Sequence, residues 1–109
     1  MAKHVLLVFS DPTEGKEDEY NRWYDEVHLG EVLAVEGFVS AQRFKVSDVA
    51  PGLTEHKYLA IYNLETDDPG QVMKSLGEAL PSMNISDAFN SATAKTCMAG
   101  EVSKLIEAG

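Results

Sequence analysis

The sequence predicts an α+β fold in which a four-stranded antiparallel sheet carries two helices on one face. Two observations predict it. Runs rich in β-branched and aromatic residues alternate with stretches of helical periodicity, and these segments follow the order strand, helix, strand, strand, helix, strand. That βαββαβ order is the ferredoxin-like split βαβ arrangement. A length of 109 residues suits one domain, so we assign residues 1–109 to a single unit.

The first strand and the first helix are predicted from the opening third of the chain. Lys3–Ser10 is an apolar run that the turn sequence SDPTEG ends. The helix follows, because the acidic residues Glu17–Glu19 suit the positive end of a helix dipole and apolar residues recur at helical spacing over Tyr20–Val27. We expect Gly30 to end or bend this helix.

The remaining elements are predicted from similar signals. The second helix is expected to begin with Asp67 or Asp68 as N-cap and Pro69 at its first position, and to stop at Pro81. The three further strands are predicted over Gly37–Asp48, His56–Glu65 and Lys95–Glu107.

Both faces of this sheet are predicted to be apolar, although two helices cover only one. The alternating sets of the first strand are His4, Leu6 and Val8 on one side and Val5, Leu7 and Phe9 on the other. An uncovered apolar face would be a large exposed patch, and the same face of a second copy is the simplest cover. We therefore predict a homodimer with its two sheets packed face to face.

Composition and charge exclude several classes of partner. The net charge is −9, from 18 acidic and 9 basic residues, which argues against nucleic acid and anionic membranes. No run approaches the ~20 apolar residues of a membrane span. The single cysteine, Cys97, cannot form an intrachain disulfide and is predicted to be a small buried hydrophobe, so a reducing cytoplasm is the expected location.

The stretch YNRWYDEVHLGEV is the densest cluster of aromatic and titratable residues. On a helix, Tyr20, Tyr24 and His28 form one row, and Asp25 and Glu31 each lie three residues from His28. A carboxylate can fix the imidazole tautomer and raise its pKa, which makes a usable general base. The alternative is a surface ion pair that contributes ~0.3–0.5 kcal/mol.

Other candidate residues carry weaker signals. His4 faces the same side of the sheet as Leu6 and is expected either in the same cavity or at the rim. Arg43 interrupts an apolar strand and is expected either to bind a ligand carboxylate or phenolate or to pair with an acidic residue. Ser40 is a possible hydrogen-bond donor by position alone, and His56 is expected to be exposed.

Cofactor and metal chemistry is not predicted. The three histidines lack HxH or HxxxH spacing, and the glycines are isolated rather than gathered in a phosphate-binding loop. No nucleophile elbow is present. Any catalysis is expected to be acid–base work by side chains, without a cofactor.

A family resemblance covers most of the chain. NRWYDEVHLGEVLAVEGFVSAQRF, preceded by KHVLLVFS and followed by HKYLAIYNLE, resembles the EthD-like branch of the dimeric α/β-barrel superfamily. The likeness spans about Lys3 to Glu65, extends more loosely to the last strand, and is most specific over Trp23–Leu29. The family usually has a proline after HL and another in VPGF, where this chain has Gly30 and Glu36.

The resemblance implies a dimer of ferredoxin-like domains with a ligand cavity between each sheet and its helices. Relatives in the superfamily include cofactor-free polyketide cyclases, quinone-forming monooxygenases and muconolactone isomerases. Many of these take aromatic or polyketide-like substrates and use His, Tyr or Asp as acid and base. In cyclases of this kind, a KH pair at the start of the first strand places its histidine in the pocket, and Lys3-His4 is similar.

The leading hypothesis is a cofactor-independent lyase, isomerase or cyclase acting on an aromatic or polyketide-like metabolite in a catabolic or biosynthetic pathway. His28 would be the general base or acid, oriented by Asp25, with Tyr24 donating to a developing oxyanion and His4 as a second proton carrier. The substrate-binding residues are expected to be Trp23, Phe38, Arg43 and Tyr62, with Trp23 more strongly indicated as a core residue.

Two alternatives stay open. A non-catalytic ligand-binding accessory protein of a degradation system would have a closed pocket, with His28 already satisfied by Asp25 or Glu31. A heme-binding relative would use His4 or His28 as the axial ligand.

Overall fold

The computed structural model describes residues 1–50, 52 and 54–109. Its strands are β1 (Lys3–Ser10), β2 (Phe38–Lys45), β3 (Tyr58–Glu65) and β4 (Lys95–Gly100). Its helices are α1 (Glu17–Trp23), a π-helical turn (Tyr24–His28), α2 (Leu29–Leu33), α3 (Pro69–Ala79) and a 3₁₀ turn (Leu80–Ser82).

The sheet confirms the predicted fold. Its strand order is β2-β3-β1-β4, and every neighbouring pair is antiparallel. Tyr62 of β3 pairs with Leu6 of β1 on one side and with Ala41 of β2 on the other. These residues therefore share the sheet face that packs against the helices, because paired residues of adjacent strands point to the same side.

β1 has the predicted bounds, but the other three strands are shorter than predicted. β2 is Phe38–Lys45 rather than Gly37–Asp48, and β3 begins at Tyr58 rather than His56. The largest difference is in β4, which stops at Gly100 rather than Glu107. The reason is the register: Gly100 pairs with His4, and the amide of Glu101 donates to the carbonyl of Lys3, where β1 begins. Residues beyond Glu101 therefore find no strand left to pair with, and they are exposed.

The sequence predicted that Gly30 would end or bend the first helix, and the helix does not end there. It continues to Leu33, and its irregularity lies earlier, in the π-helical turn Tyr24–His28. The second helix begins as predicted: the Asp68 side chain accepts from the amide of Gln71 at 3.0 Å, and Pro69 is its first residue. A π-helical turn inside a helix frequently marks a functional site.

One core lies between the helices and the sheet. Its sheet residues include Leu6, Tyr62 and Leu64, and its helix residues include Tyr24 and Val72. At Gly37, φ is +107° and an added Cβ would lie 2.6 Å from Val72, so glycine allows α3 to approach the start of β2.

The opposite face of the sheet has no covering layer within the described chain. Leu7, Phe9 and Ile61 are only half-buried there, and Phe44 is 42% exposed. Cys97 pairs with Leu7 on this face and is exposed, which corrects the prediction of a buried thiol. In the part of the chain described, we find no helix that could cross a membrane.

Candidate functional site

The π-helical turn gathers aromatic rings around His28. The indole of Trp23 stacks on the imidazole with ring centroids 4.7 Å apart and an angle of 17°. Tyr24 meets the imidazole edge-on at 5.4 Å, and Phe89 lies 6.4 Å away. His28 is buried, so its contact with a carboxylate is not the surface ion pair that was the alternative.

Glu31, rather than Asp25, holds His28. Nδ1 of His28 lies 3.2 Å from one carboxylate oxygen of Glu31, and the other oxygen accepts from the amide of Asn84 at 2.6 Å. The orienting role predicted for Asp25 is therefore corrected. Asp25 instead accepts from Arg43 at 2.8 Å, because the helix carries it toward β2.

The protonation of His28 also differs from the prediction. Burial lowers its pKa, and the Glu31 carboxylate opposes that effect without reversing it. Since a carboxylate only accepts, Nδ1 donates to Glu31 and the neutral ring carries its lone pair on Nε2. The buried environment therefore favours a neutral imidazole, which is the form that a general base needs.

Arg43 pairs with an acidic residue, one of the two predicted options. Its Nη1 donates to Asp25, and its Nη2 donates to the side-chain oxygen of Asn21 at 2.7 Å. Cζ lies 4.5 Å from the ring centroid of Tyr24 and 5.2 Å from that of Tyr20. The Arg43 side chain is only 10% exposed, and its Nε has no partner within the described residues.

The hydroxyls of Tyr24 and Tyr62 are buried without a hydrogen-bond partner in the described part of the chain. Burial raises the pKa of Tyr24 to about 12. Burial and then the neighbouring Tyr24 raise the pKa of Tyr62. Both side chains therefore stay protonated and can donate. By contrast, the buried Tyr20 hydroxyl is paired with Ser10 Oγ at 2.6 Å.

Three of the predicted substrate-binding residues, Trp23, Phe38 and Tyr62, lie in this core, and two other candidates lie elsewhere. Phe38 is buried and meets Tyr62 edge-on at 5.9 Å. His4 lines a groove of about 410 Å³ at the opposite end of β1 from Ser10, and no contact found in the described residues joins it to His28. Ser40 lines the same groove, where it accepts from Asn63 at 3.0 Å.

His56 is not exposed, which corrects the prediction. Its Nδ1 lies 2.7 Å from Asp11 Oδ2, and its side chain is 12% exposed. It lines a separate groove of about 840 Å³ beside the open sheet face. Asp11 also accepts from the amide of Lys57, so the residues just before β3 lie against the end of β1.

The cavity that the resemblance implied between sheet and helices is closed. None of the five main grooves formed by the described residues is lined by His28, Tyr24 or Tyr62. The buried rings of Tyr20, Tyr24 and Tyr62 fill the space. Over residues 1–50, 52 and 54–109, no three His, Cys, Asp or Glu side chains are grouped to hold a metal.

The connection between α3 and β4 supplies site residues that the sequence interpretation missed. Phe89 contacts the rings of Trp23, Tyr24 and His28, and the carbonyl of Asn84 accepts from the Trp23 indole at 2.6 Å. Phe89 is the only aromatic residue of segment 82–94, and an aromatic residue in a connection was the available signal.

Comparison with known proteins identifies the fold. No protein-family model and no curated protein sequence matches the chain. An EthD family protein from Bacillus halodurans is 12% identical, with a TM-score of 0.60 over 94% of this chain and 100% of that one. The heme-degrader MhuD from Mycobacterium tuberculosis, with two hemes bound in its active site, is 18% identical, with a TM-score of 0.60 over 94% and 98%.

A dimeric ferredoxin-like protein from Jannaschia is 9% identical, with a TM-score of 0.56 over 88% of this chain and 96% of that one. At these identities the likeness concerns the fold. The solved structures that share it thus include an EthD family protein and dimeric ferredoxin-like proteins, as the sequence resemblance implied. The chain has the ferredoxin-like fold of these structures.

Proposed function

We propose that this chain is a cofactor-independent acid–base enzyme of lyase, isomerase or cyclase type, acting on an aromatic or polyketide-like hydrophobic metabolite. The observation that carries the proposal is the setting of His28. Its ring is buried, stacked on Trp23 and fixed through Nδ1 by Glu31, which leaves Nε2 as the basic atom. Burial lowers its pKa and keeps that lone pair free at neutral pH.

The proton transfers follow from this geometry. Nε2 of His28 takes a proton from an acidic C–H or O–H of the substrate, and the electron pair moves onto a conjugated substrate oxygen. The imidazolium formed is stabilised by the Glu31 carboxylate on Nδ1. Return of the same proton to a different carbon gives an isomer. Attack of the carbanion on a carbonyl closes a ring, and the proton then goes to the new alkoxide. Tyr24, in edge contact with the imidazole, donates to the developing oxyanion.

The aromatic surroundings indicate the substrate class. Trp23, Tyr24 and Phe89 offer ring faces and edges to anything bound beside His28. The rings fill this layer in the structure, so a ligand enters by displacing them. The heme-degrader of the same fold holds two hemes in its active site, which supports a flat conjugated ligand here.

A non-catalytic ligand-binding accessory protein is the second candidate. The observation that favours it is that the layer is closed and that Glu31 already satisfies Nδ1 of His28. In that role the aromatic cluster would bind a metabolite without changing it.

The open sheet face supports a homodimer. We propose that a second copy covers Leu7, Ile61 and Phe44, whose apolar side chains lie on this face. The fold is shared with a dimeric ferredoxin-like protein. The exposed free thiol of Cys97 suits a reducing compartment, and we propose the cytoplasm as the location.

The direct test is hydrogen–deuterium exchange at the α-carbon of 2-tetralone, an enolisable aromatic ketone, followed by NMR in D₂O. We expect the wild type to accelerate the exchange and His28→Gln to lose about 10²–10⁴-fold of it. His56→Gln is the matched control, because His56 is also held by a carboxylate but lies outside the site.

The outcomes separate the candidates. Equal acceleration by wild type and His28→Gln would contradict the role of His28. Tight binding of 2-tetralone without accelerated exchange would favour the accessory protein. A loss in His4→Gln as large as in His28→Gln would restore His4 as a proton carrier.

A further inference from the structure

We propose that Arg43 Nε and the hydroxyls of Tyr24 and Tyr62 form an oxygen anchor that binds the carbonyl or phenolate oxygen of a flat aromatic ligand. The inference rests on the proposed function, since it places the ligand in the same layer, and it deepens that function by naming the group that is recognised. The three atoms are the buried side-chain nitrogen and oxygen atoms without a partner in the described residues.

The hydroxyls of two nearby tyrosines, by contrast, do have hydrogen-bond partners. The Tyr20 hydroxyl is paired with Ser10, and the Tyr58 hydroxyl donates to Glu17. A buried polar group without a partner is unusual in a folded protein and calls for an explanation such as a bound molecule. Tyr24 and Tyr62 also shift each other's pKa, so their hydroxyls are neighbours, and this favours one shared partner over separate packing defects.

The chemistry of the anchor selects an acceptor. A guanidinium has donors only, and a protonated tyrosine can always donate. Nη1 and Nη2 of Arg43 already donate to Asp25 and Asn21, and these bonds fix the plane of the guanidinium group. Nε–H is then the donor that remains. The site therefore offers three donors, and a carbonyl or phenolate oxygen is the group that can accept from all of them.

The charge balance limits how negative the ligand can be. Asp25 lies 2.8 Å from Nη1 and offsets part of the Arg43 charge, although its own side chain is 60% exposed. A phosphate dianion would meet that carboxylate as well as the donors. An oxygen with a single or partial negative charge, such as a phenolate or enolate, suits the anchor better.

The surrounding rings favour a planar ligand. Arg43 lies over the face of Tyr24, and Phe38 meets Tyr62 edge-on. Tyr24 also contacts His28 at 5.4 Å between centroids. An oxygen held at the anchor would therefore leave the adjoining ring carbons on the His28 side, where the proposed base acts.

The test compares 1-naphthol with naphthalene, which has the same rings and no oxygen. We expect the wild type to bind 1-naphthol at least tenfold more tightly, measured by ligand fluorescence. Tyr24→Phe and Tyr62→Phe should each reduce that preference about two- to tenfold, because each removes one donor. The double variant should reduce it further and keep only the part that Arg43 Nε–H supplies. Tyr58→Phe is the matched control, because it deletes a tyrosine hydroxyl that is already paired.

Several outcomes would overturn the anchor. A preference that is undiminished in the double variant would place the oxygen elsewhere. Equal affinity for the two probes in the wild type would mean that the donors serve only a buried water. Failure of the folded wild type to bind either probe would also contradict it.

His28→Gln separates the two proposals. If it abolishes exchange of 2-tetralone but the wild type shows no preference for naphthol, the anchor fails and the proposed function stands. If the preference is present and depends on the tyrosines while His28→Gln exchanges normally, the anchor stands and the acid–base function fails.

Discussion

The two faces of the sheet differ in what they leave unsatisfied. The face under the helices is buried, yet it holds three polar atoms without a partner in the described residues. The opposite face holds apolar side chains without a cover, such as Leu7 and Ile61. Unpaired donors favour a small molecule with an acceptor oxygen, whereas an uncovered apolar surface favours another macromolecule. We therefore propose ligand binding for one face and assembly for the other.

The largest expected effect concerns the open face. Ile61→Asp places a charge at its centre, and in a symmetric dimer each substitution acts twice. Because burying such a side chain contributes about 1.5–3 kcal/mol, we expect the dimer dissociation constant to rise about 10²–10⁴-fold in sedimentation equilibrium. Leu33→Asp, at an exposed helix position, is the control. A wild type that sediments as a monomer at micromolar concentration would contradict the assignment of this face.

An added methyl group on the covered face of the sheet should destabilise the protein. Gly37→Ala forces a Cβ to within 2.6 Å of Val72 at a φ of +107°. We expect the free energy of unfolding to fall by about 1–3 kcal/mol in urea titrations. Gly77→Ala in α3 is the control, since nothing lies within 4 Å of its added Cβ, and it should be neutral or stabilising. Equal effects of the two changes would mean that α3 packs less tightly than described.

The buried histidine should give the stability of the protein a pH dependence. Burial lowers the pKa of His28, so the unfolded chain binds a proton more readily than the folded one. Stability should be fully present above the unfolded pKa of about 6.5 and should decline as pH falls through the folded pKa. His28→Gln should flatten that slope between about pH 7 and 5 in denaturant titrations. An unchanged slope would mean that another group causes it.

The smallest effect is expected for Asp25. Its side chain is 60% exposed, so its pair with Arg43 is weakened by solvent. Asp25→Asn should change the free energy of unfolding by ~0.2–1 kcal/mol and leave the exchange of 2-tetralone nearly intact. A loss of exchange as large as that of His28→Gln would restore the catalytic role that the sequence predicted for Asp25.

The fold was largely predictable, because alternation along β1 and the capping residues of α3 are local signals. Lys3–Ser10 and the Asp68 cap are both observed as predicted. The end of β4 was not predictable, because it depends on where β1 begins, and that is a property of register rather than of composition.

The roles of the candidate site residues stay predictions, and the contacts around His28 could not be read from spacing. By spacing alone, Asp25 and Glu31 were equivalent neighbours of His28. In the structure, which has a π-helical turn here, His28 bonds Glu31, and Asn84 holds the other oxygen of that carboxylate. The direction of the His28 pKa shift was missed for a related reason. It depends on burial under Phe89 and Trp23, which lie far apart in the sequence.

The most direct measurement is the pKa of His28 by NMR titration, assigned against His28→Gln, with and without 1-naphthol. The proposal predicts a pKa below the ordinary histidine value of about 6.5, and a change on ligand addition that His56 does not share. A His28 that titrates like a free imidazole and does not respond to 1-naphthol would contradict the assignment of this face to ligand binding and catalysis.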